Sequence, residues 1–543
     1  MDGNLRPSEF VQQLAVSANV KHLSDAQAKE LAEPYGQRTE FGNLNFISQV
    51  RSRSAWLTVY IGSEKVRQRK LGDQQKRILA NVDDTLRKVH RYIARTPMVC
   101  LERTMGENNS FCPHCTMYVS VRNPASVRIP FMWGSTLFPY RPQAPGPDLT
   151  LIFVPEWPEI DRQILVFPEE NVTYVLGSDY MGEAKKGCLR MAMYNAKLQG
   201  MLGLHAGAKL VYARDREDKL RCYGMLLFGL SATGKTTHSC HDHGLHGRGE
   251  SALVIQDDVV FLCKDGQALG TERGFYLKTE GLDEVTQPVL YRAASSPDTI
   301  FENVMVAPDG QIDFQDETLT SNGRGVVQKS DFGSRAAEGI NMPPLDELDG
   351  LILIFITRRN TILPMISKLT PAQAALAFML GESVESSAGD PRRAGESVRV
   401  VGTNPFIVGD EAEEGNWIYD FVSNHADKIQ AYLLNTGGVG EIMETLPDGT
   451  RRVKRSVLRI QIPETSAIFR AIVRDRIEWV PEPRFGTLVP KEVEGVDLDK
   501  FNPLSYYSES EVEEMAEKLK RERREYIEQF SGLHPDIVKA CDV

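Results

Sequence analysis

No apolar run in the 543-residue chain approaches the ~20 residues that a bilayer-spanning helix needs, so no membrane partner is expected. Surplus positive charge is missing too. Against 74 Asp and Glu stand 63 Lys and Arg, a net charge of −11, which gives a nucleic-acid partner no electrostatic support. Cysteine is sparse: the eight (Cys100, Cys112, Cys115, Cys188, Cys222, Cys240, Cys263 and Cys541) cannot form a disulfide framework in so long a chain. The opening MDGNLRPSEFVQQLAVSANV has no basic start followed by an apolar stretch. A secretory leader is therefore not expected, and a cytoplasmic protein is. No internal repeat is found. What remains, 41% hydrophobic and 25% charged, is the make-up of a globular protein of two or three domains.

What is present is more telling. Residues 228–239, FGLSATGKTTHS, fit G-x-x-x-x-G-K-[ST], and the preceding GMLLFG is a short apolar run bounded by glycines that reads as a buried strand. Gly229 and Gly234 let the backbone curl so that successive N–H groups point at an anion. Leu230, Ser231, Ala232, Thr233 and Thr237 complete the cradle, Lys235 reaches β- and γ-phosphates, and the Thr236 hydroxyl sits on a divalent cation. Some twenty residues on, VIQDDVVFL ends a strand with Asp257 and Asp258, hard oxygen donors suited to Mg²⁺ or Mn²⁺. The motif predicts nucleotide binding and names no reaction.

Elsewhere the pattern sets the architecture. Residues 1 to about 90 read as polar helices interrupted by LTVYIG, and 97–210 as strands such as CTMYVSVR and LTLIFVPEW between proline-rich turns. From Gly224, the runs GMLLFG, ALVIQDD, VVFLC and GLILIFITRR read as buried strands with ligands at their carboxyl ends, an α/β fold. ESVESSAGDPRRAGES (382–397) reads as a mobile loop, and SESEVEEMAEKLKRERREYIEQF as a Ser-capped helix with a solvated charged face. Two clusters stay open. Cys112 and Cys115 in FCPHCTM are either ordinary thiols or a redox or metal pair. His238, Cys240, His241, His243 and His246 are either zinc ligands or residues of an exposed loop.

Several motifs occur together in one order: YMGEAKKG with Tyr180 and Lys186, then His205, GLSATGKTT, the Asp pair, RGFYLKTEGL with Lys278, FENVMVAPDG with Glu302, TSNGRG with Arg324, YLLNTGG and GVDLDKFNP. This series resembles the ATP-type phosphoenolpyruvate carboxykinase family over about residues 40–530. The resemblance implies a two-domain α/β fold: an N-terminal substrate-binding domain (1–215) and a C-terminal P-loop nucleotide-binding domain (216–543) with a mobile lid near 382–397. It implies a reversible reaction, oxaloacetate plus ATP giving phosphoenolpyruvate, CO2 and ADP, in the cleft between the domains of a monomer or small homo-oligomer. Lys186, His205 and Asp258 would bind Mn²⁺, Thr236 would hold the nucleotide's Mg²⁺, and Asp257 would support it. Lys235 and Lys278 would neutralise the moving phosphoryl group, Arg324 would bridge it to the substrate, Arg53 would clamp the substrate carboxylate, and Tyr180 would pack on substrate or CO2. Glu302 and Ser466 would lie in the nucleotide-binding set.

The chain departs from the family pattern at three places. Ala232 stands where the phosphate loop usually has glycine, narrowing its backbone angles. RSRSAW replaces the usual Thr-Gly-Arg-Ser-Pro around Arg53. In RIQIPETSAIF, Ser466 stands where the family arginine stacks on adenine, removing a contact of about 1 kcal/mol and leaving ATP, GTP or pyrophosphate open as donor. Two alternatives follow: a small-molecule kinase of the same fold with another acceptor, and a non-catalytic nucleotide- or zinc-binding regulator.

Overall fold

The computed structural model describes residues 6–230, 233–384, 396–445 and 451–542. It is a mixed α/β structure of several sheets, and the chain divides into two compact units. The first comprises Met1–Gly203, Leu269–Ala336 and Phe406–Asp410; the second comprises Leu204–Ala268, Ala337–Pro405 and Glu411–Val543. Among the described residues no helix is long and apolar enough to cross a membrane.

The first unit is built on two sheets. In the larger, the central strands His114–Ser120, Asp148–Val154 and Val172–Leu176 run parallel. They are apolar nearly throughout and buried on both faces, as strands covered on two sides must be. Their core includes Phe10, Val89, Ile152, Leu165 and Tyr174. The helix Met181–Leu198, which carries Lys186, packs against Asp148–Val154. The smaller sheet runs Gly274–Lys278, Arg324–Gln328, Ile300–Glu302, Leu44–Phe46 and Gln37–Arg38. Its register sets Lys278 opposite Arg324 and Arg324 opposite Glu302. Directly opposed residues in neighbouring strands share a face, so three separated sequence positions form one row.

The second unit is built on an eight-stranded sheet whose middle strands, Leu220–Gly229, Gly350–Thr357 and Ile429–Asn435, run parallel. Their carboxyl ends, at Gly229, Thr357 and Asn435, therefore lie along one edge, where open α/β sheets bind ligands. The hairpin Ala206–Arg214/Leu220–Gly229 places His205 beside the phosphate loop. Across the hairpin, Ser251–Gln256 pairs through a bulge at Ala208/Lys209 and delivers Asp257 and Asp258. The Ser-capped helix is Glu509–Ile527, with the Ser508 hydroxyl accepting from the Glu511 N–H. Its face is not wholly solvated, because Arg523 turns inward onto the buried Glu382.

Candidate active site

The phosphate loop lies between the strand Leu220–Gly229 and the short helix Lys235–Cys240. Gly234 has φ of +96°, a left-handed angle that a side chain would strain. At Gly229 an added Cβ would come within 2.5 Å of the Thr233 hydroxyl, so the tight turn also needs glycine there. Thr233 donates to the Leu230 carbonyl at 2.8 Å, and Thr436, just beyond the strand Ile429–Asn435, donates to the Thr233 carbonyl at 2.8 Å. Ser231 and Ala232 lie outside the described residues. Thr236 and Thr237 stand half-buried on the first turn of the helix.

Three predicted residues meet at one oxygen. The Lys235 ammonium lies 3.0 Å from Asp258 Oδ1, and His205 Nε2 lies 2.9 Å from the same oxygen. His205 Nδ1 is 2.6 Å from the Thr403 carbonyl. A carbonyl can only accept, so Nδ1 carries the proton and, in the neutral ring, Nε2 turns its lone pair toward a carboxylate. In that ring state the two atoms would share a cation between them, and an imidazole nitrogen with a carboxylate oxygen is a donor set that Mn²⁺ accepts. Asp257 is buried beside them.

In the first unit, the loop that carries Arg53 is held from below. Asp179 accepts from the Gln49 N–H at 2.9 Å and the Val50 N–H at 2.9 Å, and it is itself paired with Arg128 at 2.9 Å. Asn303, at φ of +60°, accepts from the Ser48 N–H at 2.8 Å. Arg53 lies 4.5 Å from the centre of the Phe406 ring and Lys186 lies 4.8 Å from it, so both cations share one aromatic platform. Burial pulls the Arg53 guanidinium below its ordinary pKa, and the Glu183 charge opposes that. Of the lysine pair, Lys185 is fully buried against Glu272 at 3.0 Å, which leaves Lys186 as the half-exposed member.

Asn322 joins two of the residues expected at the substrate. Its side-chain NH2 donates to the Tyr180 hydroxyl at 3.0 Å, and its carbonyl accepts from Arg324 at 3.1 and 2.6 Å. Lys278 pairs with Glu280. Glu302 is fully buried, taking hydrogen bonds from Arg128 at 3.0 Å, the Tyr276 hydroxyl at 2.5 Å and the Met181 N–H at 3.2 Å. Burial pushes its carboxyl up, against the pull of Arg128.

Asp179, Asn322 and Phe406 had no assigned role in the sequence. Asp179 opens the DYMGEAKKG run and Asn322 sits inside TSNGRG, so both lay within motifs whose other members drew attention. Phe406 follows a proline in an unmarked stretch and gives no signal.

The open clusters also find their places. His238 and His243 are buried rather than in an exposed loop, and His243 stacks on Phe469 at 4.2 Å. Burial drives the His238 pKa down to about 3, with the Lys209 charge adding to the effect. Ser466, on the helix Ile462–Val473, lies 3.4 Å from His243 Nδ1 and 3.5 Å from His241 Nδ1. Cys112 and Cys115 are buried free thiols, and among the described residues no group of three or more His, Cys, Asp and Glu is arranged to hold a metal. Glu382 and Ser397 lie on the paired strands Glu382–Val384 and Ser397–Arg399; residues 385–395 of the expected lid lie outside the described residues.

A phosphoenolpyruvate carboxykinase family model matches residues 13–499. The phosphoenolpyruvate carboxykinase (ATP) of Aeropyrum pernix is 35% identical over 390 residues, 71% of this chain and 72% of its own length. Phosphoenolpyruvate carboxykinase (ATP) 1 of Moorella thermoacetica is 28% identical over 411 residues, covering 73% and 71%. The phosphoenolpyruvate carboxykinase (ATP) of Staphylococcus aureus is 26% identical over 398 residues, covering 71% and 67%. A match across nearly the whole chain, together with a relative 35% identical over 71% of it, identifies it as a member of the ATP-type phosphoenolpyruvate carboxykinase family.

Proposed function

We propose that this chain converts oxaloacetate and ATP reversibly into phosphoenolpyruvate, CO2 and ADP. The observation that carries the reading is the convergence of His205 and Lys235 on one oxygen of Asp258, at the edge where the phosphate loop opens. Lys186, His205 and Asp258 would hold Mn²⁺, with Thr236 on the nucleotide's Mg²⁺ and Asp257 in support. Bound there, the ions would neutralise phosphoryl oxygens and so lower the barrier to transfer.

The remaining work falls to the protein's own side chains and is positional and electrostatic, since phosphoryl transfer asks little covalent chemistry of a protein. Lys235 leaves Asp258 for the β- and γ-phosphates, and Lys278 exchanges Glu280 for the same charge. Arg53 presents its planar fork to a substrate carboxylate from the Phe406 platform. Asn322 fixes both the Tyr180 hydroxyl and the Arg324 guanidinium, so the group that packs on the substrate and the group that bridges to phosphate are oriented by one amide.

The test is phosphoenolpyruvate formation from oxaloacetate with Mn²⁺ and Mg²⁺, in separate reactions with ATP, GTP and pyrophosphate. ATP should support turnover above the spontaneous decarboxylation. Decarboxylation to pyruvate alone, with no phosphoenolpyruvate from any donor, would sink the proposal.

A further inference from the structure

The first unit contains a cavity of about 250 Å³ whose charge is unbalanced. Its walls come from the helix Asp25–Ala32, the strand Met98–Thr104, the helix Arg128–Thr136 and Arg273, just before the strand Gly274–Lys278. Three cations line it, Lys29, Arg103 and Arg273, against one carboxylate, Asp25.

That carboxylate is already committed. Arg103 is buried and its fork is fixed: Nε donates to the Gly134 carbonyl at 3.0 Å, Nη1 to the Glu102 carbonyl at 3.1 Å, and Nη2 to Asp25. Gly134 permits this approach, because a Cβ there would lie 2.9 Å from Nη2. Arg273 has no carboxylate partner among the described residues, and its Nε is buried without a hydrogen-bond acceptor. Nor does Lys29, exposed on its helix, have one among the described residues. A buried guanidinium N–H with nothing to bond costs about 1–3 kcal/mol, so an acceptor supplied at the cavity would recover that cost. Burial pulls the Arg103 pKa down, Asp25 opposes it, and the like charge of Arg273 adds a smaller downward pull.

The neighbouring cavity is a useful contrast. It measures about 390 Å³ and shares Asp25 and Arg103, but Glu102 is added and neither Lys29 nor Arg273 lines it. There the carboxylates outnumber the arginine, and no anion is called for.

We propose that the 250 Å³ cavity binds a compact dianion of the phosphate class, inorganic phosphate or the phosphoryl group of a small metabolite, as a site separate from the phosphate loop. Cations reach it from a helix, a strand and a loop, which suits an acceptor with oxygens on several sides. One dianion neutralises the excess of three positive charges over one negative.

The experiment follows thermal unfolding of the full chain against inorganic phosphate, glycerol phosphate and succinate at constant ionic strength. Four proteins are compared: wild type, Lys235→Ala to weaken the phosphate loop, Arg273→Gln and Lys29→Gln. Phosphate and glycerol phosphate should stabilise wild type and Lys235→Ala alike at this site. In Arg273→Gln the apparent Kd should rise at least tenfold, and in Lys29→Gln about threefold, with kcat unchanged in both. Lys29→Gln, on an exposed helix surface, keeps the test readable should Arg273→Gln fail to fold. The proposal is overturned if both variants keep the wild-type response, or if Lys235→Ala abolishes it. An equal shift with succinate overturns the phosphate assignment.

Discussion

Two lysines of the second unit, Lys209 and Lys235, are both buried and yet are held in opposite ways. Lys235 has a carboxylate, Asp258, at 3.0 Å. Lys209 has none within ion-pair distance among the described residues. Its ammonium donates to the His238 carbonyl at 2.6 Å and to His243 Nε2 at 2.5 Å, lies 3.4 Å from the His241 carbonyl, and sits 5.3 Å from the centre of the Phe469 ring. Burial pulls its pKa down to about 7, and the more distant Asp242 and the Cys240 thiol only partly oppose that. The two side chains serve one helix from its two ends. Lys235 begins Lys235–Cys240, and Lys209 satisfies carbonyls at its end, as a cation near a helix C-terminus does. A lysine's task here is set by whether the fold supplies a countercharge or only dipoles.

The sharpest way to break the comparison is Lys235→Ala. In the proposed reaction it removes the cation that would face the transferring group, and kcat for phosphoenolpyruvate formation should fall by about 10³-fold. Far-ultraviolet circular dichroism should be unchanged. A fall of less than tenfold would mean that another cation serves the phosphoryl group.

Glu382 extends the comparison to the other extreme, a buried carboxylate with too many partners. Arg359 reaches it at 2.9 Å, Arg523 Nε at 3.1 Å, and Arg399 at 3.4 Å. The arginines hold its carboxyl far below the ordinary range, against the upward push of burial. Glu382→Gln leaves three buried guanidinium groups without their shared anion and should cost about 3 kcal/mol. The readout is the urea midpoint. A shift below about 1 kcal/mol would show that Glu522, which reaches Arg399 at 3.3 Å, already balances the cluster.

Lys209→Met tests the other lysine through pH. The folded pKa of about 7 lies below the ordinary lysine value of 10.5, so between these limits the unfolded chain holds a proton that the folded chain has released. This group therefore makes wild-type stability rise with pH across that window, by up to about 1.4 kcal/mol per pH unit, and its penalty is fully present below pH 7. Methionine has no such penalty. The stability of Lys209→Met relative to wild type should accordingly fall by roughly 2 kcal/mol between pH 7 and 9. A pH-independent difference would mean that Lys209 stays charged in the fold.

These residues also mark what the sequence could and could not disclose. The strand before the G-x-x-x-x-G-K-[ST] motif and the short helix after it were legible because the physics is local: glycines, a lysine and a hydroxyl within nine positions after an apolar run. Two of the three parallel strands, Leu220–Gly229 and Gly350–Thr357, were legible as continuous apolar runs, and the Ser508-capped helix as a cap followed by acids and then bases; Ile429–Asn435, broken by the exposed Gln430, was not. The row Lys278–Arg324–Glu302 was not, because strand register is a long-range property that no one segment carries. The His-rich segment after the loop suggested zinc or an exposed loop, yet His238 and His243 are packed against Phe469 and Lys209. Composition does not announce a buried lysine, since burying one defies the ordinary partition of residues.

Ser466 offers the smallest effect and the finest test. It borders the Lys209 cluster, and it stands where the family arginine is expected at the base. Its hydroxyl lies at 3.4 and 3.5 Å from two histidine nitrogens, the long limit of a hydrogen bond. Contacts at that limit are each worth less than about 1 kcal/mol, so Ser466→Ala should change the KM for ATP by less than about threefold and leave kcat alone. The same measurement on Lys209→Met separates two roles for the cluster. If KM rises there while Ser466→Ala is silent, the lysine holds the phosphate-loop helix in place and the serine merely fills the position. If Ser466→Ala raises KM tenfold, the serine itself touches the nucleotide, and a hydroxyl serves the base at the position where the family uses a guanidinium.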